Sequence, residues 1–383
     1  MKAKACIIYN PGDKFVIDEV ELDELRDDEV LVKIYACSIC HSDEYMRSSG
    51  AGVILPAILG HEGAGIVEKV GARVTAVKPG DHVAVTVPNC GHCDACAHED
   101  YLSCKNLFHM QLGREDGSFR AHDKNGVGLG SCFGQSSFCE FALTYESSCV
   151  KVDEDLPFDV VAPVGCGFST GAGTVLYFLK PGYSGSIAVF GCGSTGFASI
   201  MGAKLAGCQT IIAVGRSDEK LALAKELGAT HVINSKRLQE EKGYRVEVTG
   251  PDAILTPFIY PLVEEIKAVT GGKGVNYAVV TAPVQDVITP AIYSLAKYGE
   301  CCITASLPEA AIPTQFMQGN NIKVSSCGMG CGNKFKFLPY LLSEYKKGNF
   351  PIDRLLVHYK FDDIEQAFAD MESGKSIKPV FSW

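Results

Sequence analysis

A membrane-spanning helix needs roughly 18 consecutive apolar residues. The 383-residue chain has no such run, so nothing in it is expected to cross a bilayer. It also lacks an excess of positive charge: 35 Lys and Arg stand against 45 Asp and Glu, a net charge of −10. An acidic chain repels phosphate backbones and anionic lipid, so neither nucleic acid nor a membrane surface is an expected partner. The segment Met1–Gly12 carries no apolar stretch of signal-peptide length, and a cytoplasmic location is expected. Internal repeats and low-complexity tracts are missing too. Hydrophobic residues at 46% and charged residues at 21% exclude a disordered chain. What is abundant is glycine, 40 residues, and cysteine, 17. Without a secretory leader, clustered cysteines point to metal ligation rather than a disulfide scaffold.

The length suits about two domains. In the first third, short β-like runs such as Val30–Ala36, Gly65–Val70 and His82–Val87 are punctuated by Gly and Pro, and helical periodicity is scarce. The texture changes near Pro163. Apolar strands and helical stretches then alternate: Ile187–Phe190, Thr195–Ala206, Thr210–Val214, Asp218–Leu227, His231–Ile233, Val275–Thr281, Gln285–Lys297, Cys301–Ala305 and Ile322–Ser325. That alternation predicts a parallel sheet with right-handed crossovers. The tail from Phe335 to Trp383 returns to mixed helix and strand. Residues 235–258, polar Lys236–Lys242 followed by Val246–Pro257 with two prolines, read as a loop insertion or as a surface helix.

Cys90, Cys93, Cys96 and Cys104 form C-x2-C-x2-C-x7-C. Four thiolates at this spacing can close around one tetrahedral Zn²⁺, and the usual ferredoxin spacings differ. With every position filled by protein, such a site is structural, pinning a loop of about Pro88–Leu107.

Three separated pieces suggest a second, open centre: Cys40-His41-Ser42-Asp43, Gly60-His61-Glu62-Gly63-Ala64-Gly65 and Gly165-Cys166-Gly167-Phe168-Ser169-Thr170-Gly171. Two cysteines and one histidine are a known ligand set for catalytic zinc, whose fourth position stays exchangeable. In this order, and with the four-cysteine loop, the pieces resemble the zinc-containing medium-chain alcohol dehydrogenases over nearly the whole chain, with 235–258 as the main misfit. The resemblance implies a GroES-like, mostly β catalytic domain over 1–167 and 327–383, and a Rossmann doubly wound parallel sheet over 168–326. It implies Cys40, His61 and Cys166 as catalytic zinc ligands, Glu62 as the glutamate beneath the metal, and Asp43 as the carboxylate that orients His61. Ser42 takes the proton-relay position, suited to a hydroxyl that both donates and accepts. His41 and Lys378 fall at basic positions near a pyrophosphate. The family's frequent relay histidine is replaced by Tyr45. By the same alignment Ala51, Thr86, Cys132 and Phe133 line the substrate pocket, with room for a bulky or aromatic primary alcohol.

Gly191-Cys192-Gly193-Ser194-Thr195-Gly196 fits G-x-G-x-x-G, after an apolar strand and at the start of a helix, the context a dinucleotide site requires. An NAD site usually has an acid at the end of the next strand, for the ribose 2′-hydroxyl. Here Ala213-Val214-Gly215-Arg216-Ser217-Asp218 puts glycine there, followed by Arg216 and Ser217, which suit a 2′-phosphate. NADP is therefore expected, with NAD as the alternative and Asp218 as a conceivable ribose partner. The resemblance adds Lys220 on the adenosine side, and Thr170 and Thr195 near the nicotinamide.

The expectation is an enzyme with two Zn²⁺ per chain that moves hydride between a primary alcohol and NADP, running toward aldehyde reduction. A homodimer through sheet extension near Ala305–Phe316 follows the family habit, with a tetramer as the larger option. A non-catalytic dinucleotide-binding protein on the same scaffold is the rival from another class; the intact Cys40, His61, Cys166 and Ser42 set separates the two. The same metal set argues against a zinc-free quinone or enoyl reductase. Phe108, where glutathione-dependent formaldehyde dehydrogenases carry an arginine, argues against that group.

Overall fold

The structure, a computed structural model, describes residues 1–247, 258–330 and 332–383. The chain divides into two units: Met1–Gly167 with Gly332–Gly348 and Ile352–Trp383, and Phe168–Cys331 with Asn349–Pro351. The chain thus returns to the first unit at Gly332, not at 327, and Asn349–Pro351 makes a brief excursion back to the second.

In the first unit, Lys2–Ile8, Val16–Leu22, Ala121–His122, Gly128–Ser131 and Ala57–Ile58 close a small barrel. Beside it runs a sheet in the order Cys149–Lys151, His82–Val85, Gly63–Val70, Glu29–Ser38, Lys378–Ser382 and Leu356–Lys360, with Phe141–Tyr145 also paired to Glu29–Ser38. Glu29–Ser38 is buried along almost its whole length because it has paired neighbours and covered faces. A Cβ on Gly65 would lie 1.9 Å from the Lys33 carbonyl oxygen, so glycine permits the strand's closest approach. Ile7, Ile34, Phe138, Phe368 and Phe381 belong to one apolar core, with the Phe138 and Phe381 rings 5.3 Å apart. That core holds the end of Glu29–Ser38, from which Cys40 emerges.

The second unit is a six-stranded, wholly parallel sheet ordered His231–Asn234, Thr210–Gly215, Ser186–Phe190, Val275–Val280, Leu295–Ile303 and Lys323–Ser326. This is the doubly wound arrangement with the first strand at the centre of the order, where the direction of winding reverses. Several expected bounds move. The helix expected over Gln285–Lys297 ends at Tyr293, and a strand begins at Leu295. Leu295 is buried and pairs with Val275, and the polar Lys297-Tyr298-Gly299 lies inside the strand at a register irregularity. The stretch 235–258, open between a loop insertion and a surface helix, begins as a helix, Ser235–Lys242. Its polar residues are good helix formers, Asn234 caps it by accepting from the Arg237 N–H at 3.0 Å, and Leu238 is its one buried side chain. Val246–Glu247 then pairs with Phe258–Ile259, and the stretch between lies outside the described residues. Of the region expected to extend the sheet, 304–313 holds no strand and Thr314–Asn320 is helical; Lys323–Ser326 forms that edge.

Candidate metal centre and dinucleotide loop

Cys40 precedes the helix His41–Ser49 as its N-cap, in extended backbone. Asp43, at the third helical position, accepts from the Cys40 N–H through Oδ2 at 3.0 Å. Its other oxygen meets His61 Nδ1 at 2.8 Å and the Gly60 N–H at 3.2 Å. The helix cap and the histidine's support are thus one carboxylate. With Nδ1 donating to Asp43, the lone pair of His61 falls on Nε2, which is buried and has no hydrogen-bond partner among the described residues. Gly60 has φ +89°, and a Cβ there would strike the Phe138 backbone nitrogen at 2.5 Å, so only glycine delivers His61 to this point.

Cys166 sits after the turn Ala162–Gly165, whose last carbonyl accepts from the Thr86 hydroxyl at 2.8 Å. The donor atoms of Cys40, His61, Glu62 and Cys166 all lie within 4.8 Å of one another. The hydrogen bond from the Cys166 thiol lowers the Cys40 pKa well below the ordinary range; burial opposes this and His61 assists. Burial alone works against charge on His61, yet Asp43 and Cys166 raise its pKa. Ser42, half-buried, has its hydroxyl oxygen 3.8 Å from the Cys40 sulfur. Tyr45 is 55% exposed and His41 is exposed. Of the supposed pocket residues, Phe133 packs its ring 4.6 Å from His61, and Cys132 is buried with its thiol 3.8 Å from Asp43. Thr86 is buried and Ala51 exposed.

Lys378, expected beside a diphosphate, is 1% exposed, and its ammonium is turned onto the Glu62 carboxylate and, at 3.0 Å, the Ile39 carbonyl. The same carboxylate accepts from the Ser38 hydroxyl and, at 2.8 Å, from the Gly167 N–H. Burial raises the Glu62 pKa against the pull of Lys378. Since Ile39 precedes Cys40, Glu62 follows His61 and Gly167 follows Cys166, this one ion pair ties together the three segments that carry these donor atoms. Nothing local in the sequence signals it, because Lys378 lies at the far end of the chain. The one foretaste is a charged residue at the start of an otherwise mostly apolar final strand, Lys378–Ser382.

The sulfurs of Cys90, Cys93, Cys96 and Cys104 also lie within 4.8 Å of one another. Cys93 and Cys96 are 3.5 Å apart and Cys90 and Cys96 4.0 Å, far beyond a disulfide bond. The Cys96 and Lys105 backbone N–H groups bring the Cys93 thiol down to about 6. Nearby, Lys334 is buried against the Val87 carbonyl at 2.5 Å, and burial pushes its pKa down to about 7.

Within the second unit, Gly191 follows Ser186–Phe190 with φ +116° and Gly193 caps the helix Ser194–Leu205. A Cβ on Gly196 would strike the Gly191 carbonyl at 1.9 Å, so that glycine serves packing. A Cβ on Gly193 would meet nothing within 4 Å, and no side chain caps the helix. Backbone N–H groups of Ser194 and Thr195 therefore stand where a diphosphate can reach them. Thr195 also accepts, through its carbonyl, from the Ser199 hydroxyl at 2.9 Å, and a Cβ on Gly171, next to Thr170, would strike that carbonyl at 2.1 Å. Past Gly215, Arg216 is exposed, and Ser217 caps Asp218–Leu227 by accepting from the Lys220 N–H, which leaves its own proton to donate. Asp218 is held by Asn234 at 2.8 Å, with Arg237 at 3.9 Å; Arg237 is a cation the sequence did not place here.

Both donor sets suit zinc. The first offers two sulfurs and an imidazole nitrogen without a partner among the described residues; the second offers four sulfurs. The glycine loop suits a dinucleotide.

Residues 26–154 match the alcohol dehydrogenase GroES-like domain, and residues 194–343 match the zinc-binding dehydrogenase family. A geraniol dehydrogenase of Castellaniella defragrans is 33% identical over 99% of this chain and 97% of its own. Among solved structures, an alcohol dehydrogenase zinc-binding domain protein from Burkholderia ambifaria is 35% identical with a TM-score of 0.90, over 100% of this chain and 99% of that one. Benzyl alcohol dehydrogenase from Acinetobacter calcoaceticus is 32% identical with a TM-score of 0.86, over the same shares. Motifs, geometry and likeness along the full chain agree, and this protein belongs to the zinc-type medium-chain alcohol dehydrogenases.

Proposed function

We propose that the protein is a zinc-dependent alcohol dehydrogenase and aldehyde reductase that moves hydride between an aromatic or allylic primary alcohol and NADP. The observation that carries the reading is the set of half-buried Cys40 with buried His61 and Cys166, and its nitrogen without a partner among the described residues. Zinc would be held there by these residues, with Glu62 close beneath, and by Cys90, Cys93, Cys96 and Cys104 in the loop. When bound, the metal would supply Lewis acidity and the dinucleotide the hydride chemistry. The chain's own residues do the rest. Asp43 fixes the ring and tautomer of His61. Ser42 takes the proton released by the alcohol and passes it outward, toward Tyr45 or water; in the reduction it returns a proton to the aldehyde oxygen. Gly191, Gly193, Ser194, Thr195 and Gly196 bind the diphosphate, with Thr170 and Thr195 beside the nicotinamide. His41 adds a positive charge near the phosphates when protonated. Gly215, Arg216 and Ser217 accept the 2′-phosphate, and Lys220 flanks the adenosine.

The substrate class is supported by the relatives named for geraniol, an allylic alcohol, and benzyl alcohol, an aromatic one. The ring of Phe133 beside His61 gives such a substrate an apolar wall. The test is a matrix of straight-chain, allylic and benzylic alcohols against NADP and NAD, with elemental analysis of the same preparation. Two zinc ions per chain and the highest kcat/KM for an allylic or benzylic alcohol with NADP are expected. Full activity with one zinc or none refutes the metal assignment, and a clear preference for NAD refutes the cofactor assignment.

A further inference from the structure

The missing acid at Gly215 has a steric cause inside the second unit. A Cβ built on Gly215 would lie 2.9 Å from the Cys192 sulfur, closer than real Cβ atoms pack. The next atom, Leu221 Cδ2 at 3.2 Å, is the end of a flexible side chain and can give way. The sulfur has less freedom. Cys192 is 9% exposed, its thiol reaches the Val214 carbonyl at 3.8 Å, and the preceding Gly191 N–H is bonded to that carbonyl at 2.9 Å. The glycine loop is thus laced to the strand end it overlies. Gly215 does not have a left-handed backbone, since it is absent from the positive-φ glycines. What excludes a side chain there is volume.

We propose that Cys192 is a specificity-determining residue for the dinucleotide. By filling the space over Gly215 it bars every side chain at that position, including the acid an NAD site needs. It thereby holds the turn in the form that leaves Arg216 and Ser217 to a 2′-phosphate. The inference deepens the NADP reading above and rests on it. Its consequence is that the two positions change together: an acid at 215 works only after the side chain at 192 is shortened.

The test uses the full-length, zinc-loaded protein and two cycles. In the first, Gly215→Ala is made with and without Cys192→Ala and read by Tm. Overpacking predicts a loss of ~5 °C with Cys192 present and a much smaller loss without its sulfur. In the second, Gly215→Asp is made in both backgrounds, and Kd for NADPH and NADH is read from nicotinamide fluorescence, without turnover. Gly215→Asp alone should weaken both cofactors. Combined with Cys192→Ala, it should bind NADH ~10-fold tighter and NADPH ~100-fold weaker than Cys192→Ala itself. A Gly215→Asp chain that folds only when Cys192→Ala accompanies it supports the proposal equally. Equal Tm losses in both backgrounds overturn it, as does a Gly215→Asp chain that switches preference as fully alone as in combination. A wild-type chain that binds NADH more tightly overturns the NADP reading instead. The Tm cycle involves no cofactor and decides separately whether Cys192 bars position 215.

Discussion

The two cysteine-bearing centres of the first unit hold similar ligands by different means. Cys90, Cys93, Cys96 and Cys104 come from a single loop in which Cys90, Ala95, Tyr101 and Leu107 are only partly buried around the other three. Cys40, His61 and Cys166 come from three distant segments that the apolar core and the Glu62–Lys378 pair hold together. In the first case the ligands must hold the loop. In the second the fold holds the donor atoms, and among the described residues one nitrogen is left without a partner.

The contrast predicts opposite responses to losing one cysteine. Cys40→Ala should remove one zinc and lower turnover by ~10³-fold or more, the scale of losing several kcal/mol of Lewis-acid stabilisation, while Tm stays near wild type. Elemental analysis, kinetics and calorimetry on one preparation check it, and a collapse of Tm would show that this centre too is structural. Cys96→Ala should do the reverse, lowering Tm by ~10 °C, because a structural site contributes folding free energy. Unchanged Tm after loss of that zinc would erase the distinction.

The claim that the fold carries the open centre is sharpened at Lys378. Lys378→Met leaves the Glu62 carboxylate buried without its cation and should cost ~3–5 kcal/mol of stability, measured by denaturant unfolding. Adding Glu62→Gln should recover much of that loss; no recovery would mean that the lysine acts through packing and not through charge. The smallest effect concerns only the reaction. Ser42→Ala should reduce turnover by ~100-fold with both zinc ions retained. Tyr45→Phe should change it only a few-fold, because the phenol is exposed and water can replace it. Equal kcat for Ser42→Ala and wild type would move the proton route elsewhere.

Local spacing alone determined much of this protein. The four-cysteine loop, the strand–glycine–helix turn at Ser186–Leu205 and the parallel alternation after it were legible because each is written in neighbouring residues, and a loop or βα turn closes over a short length of chain. The grouping of Cys40, His61 and Cys166 was legible only through family resemblance, since no local rule connects them. The stretch Ser235–Lys242 stayed open between loop and helix because its polar residues show almost no apolar stripe. Only the tertiary structure decided what Lys378 touches, where the Cys192 sulfur lies and what a side chain at Gly215 would meet. An ion pair between distant segments and a close approach of a loop to a neighbouring strand end are contacts in space, and sequence separation does not encode distance once the chain has packed.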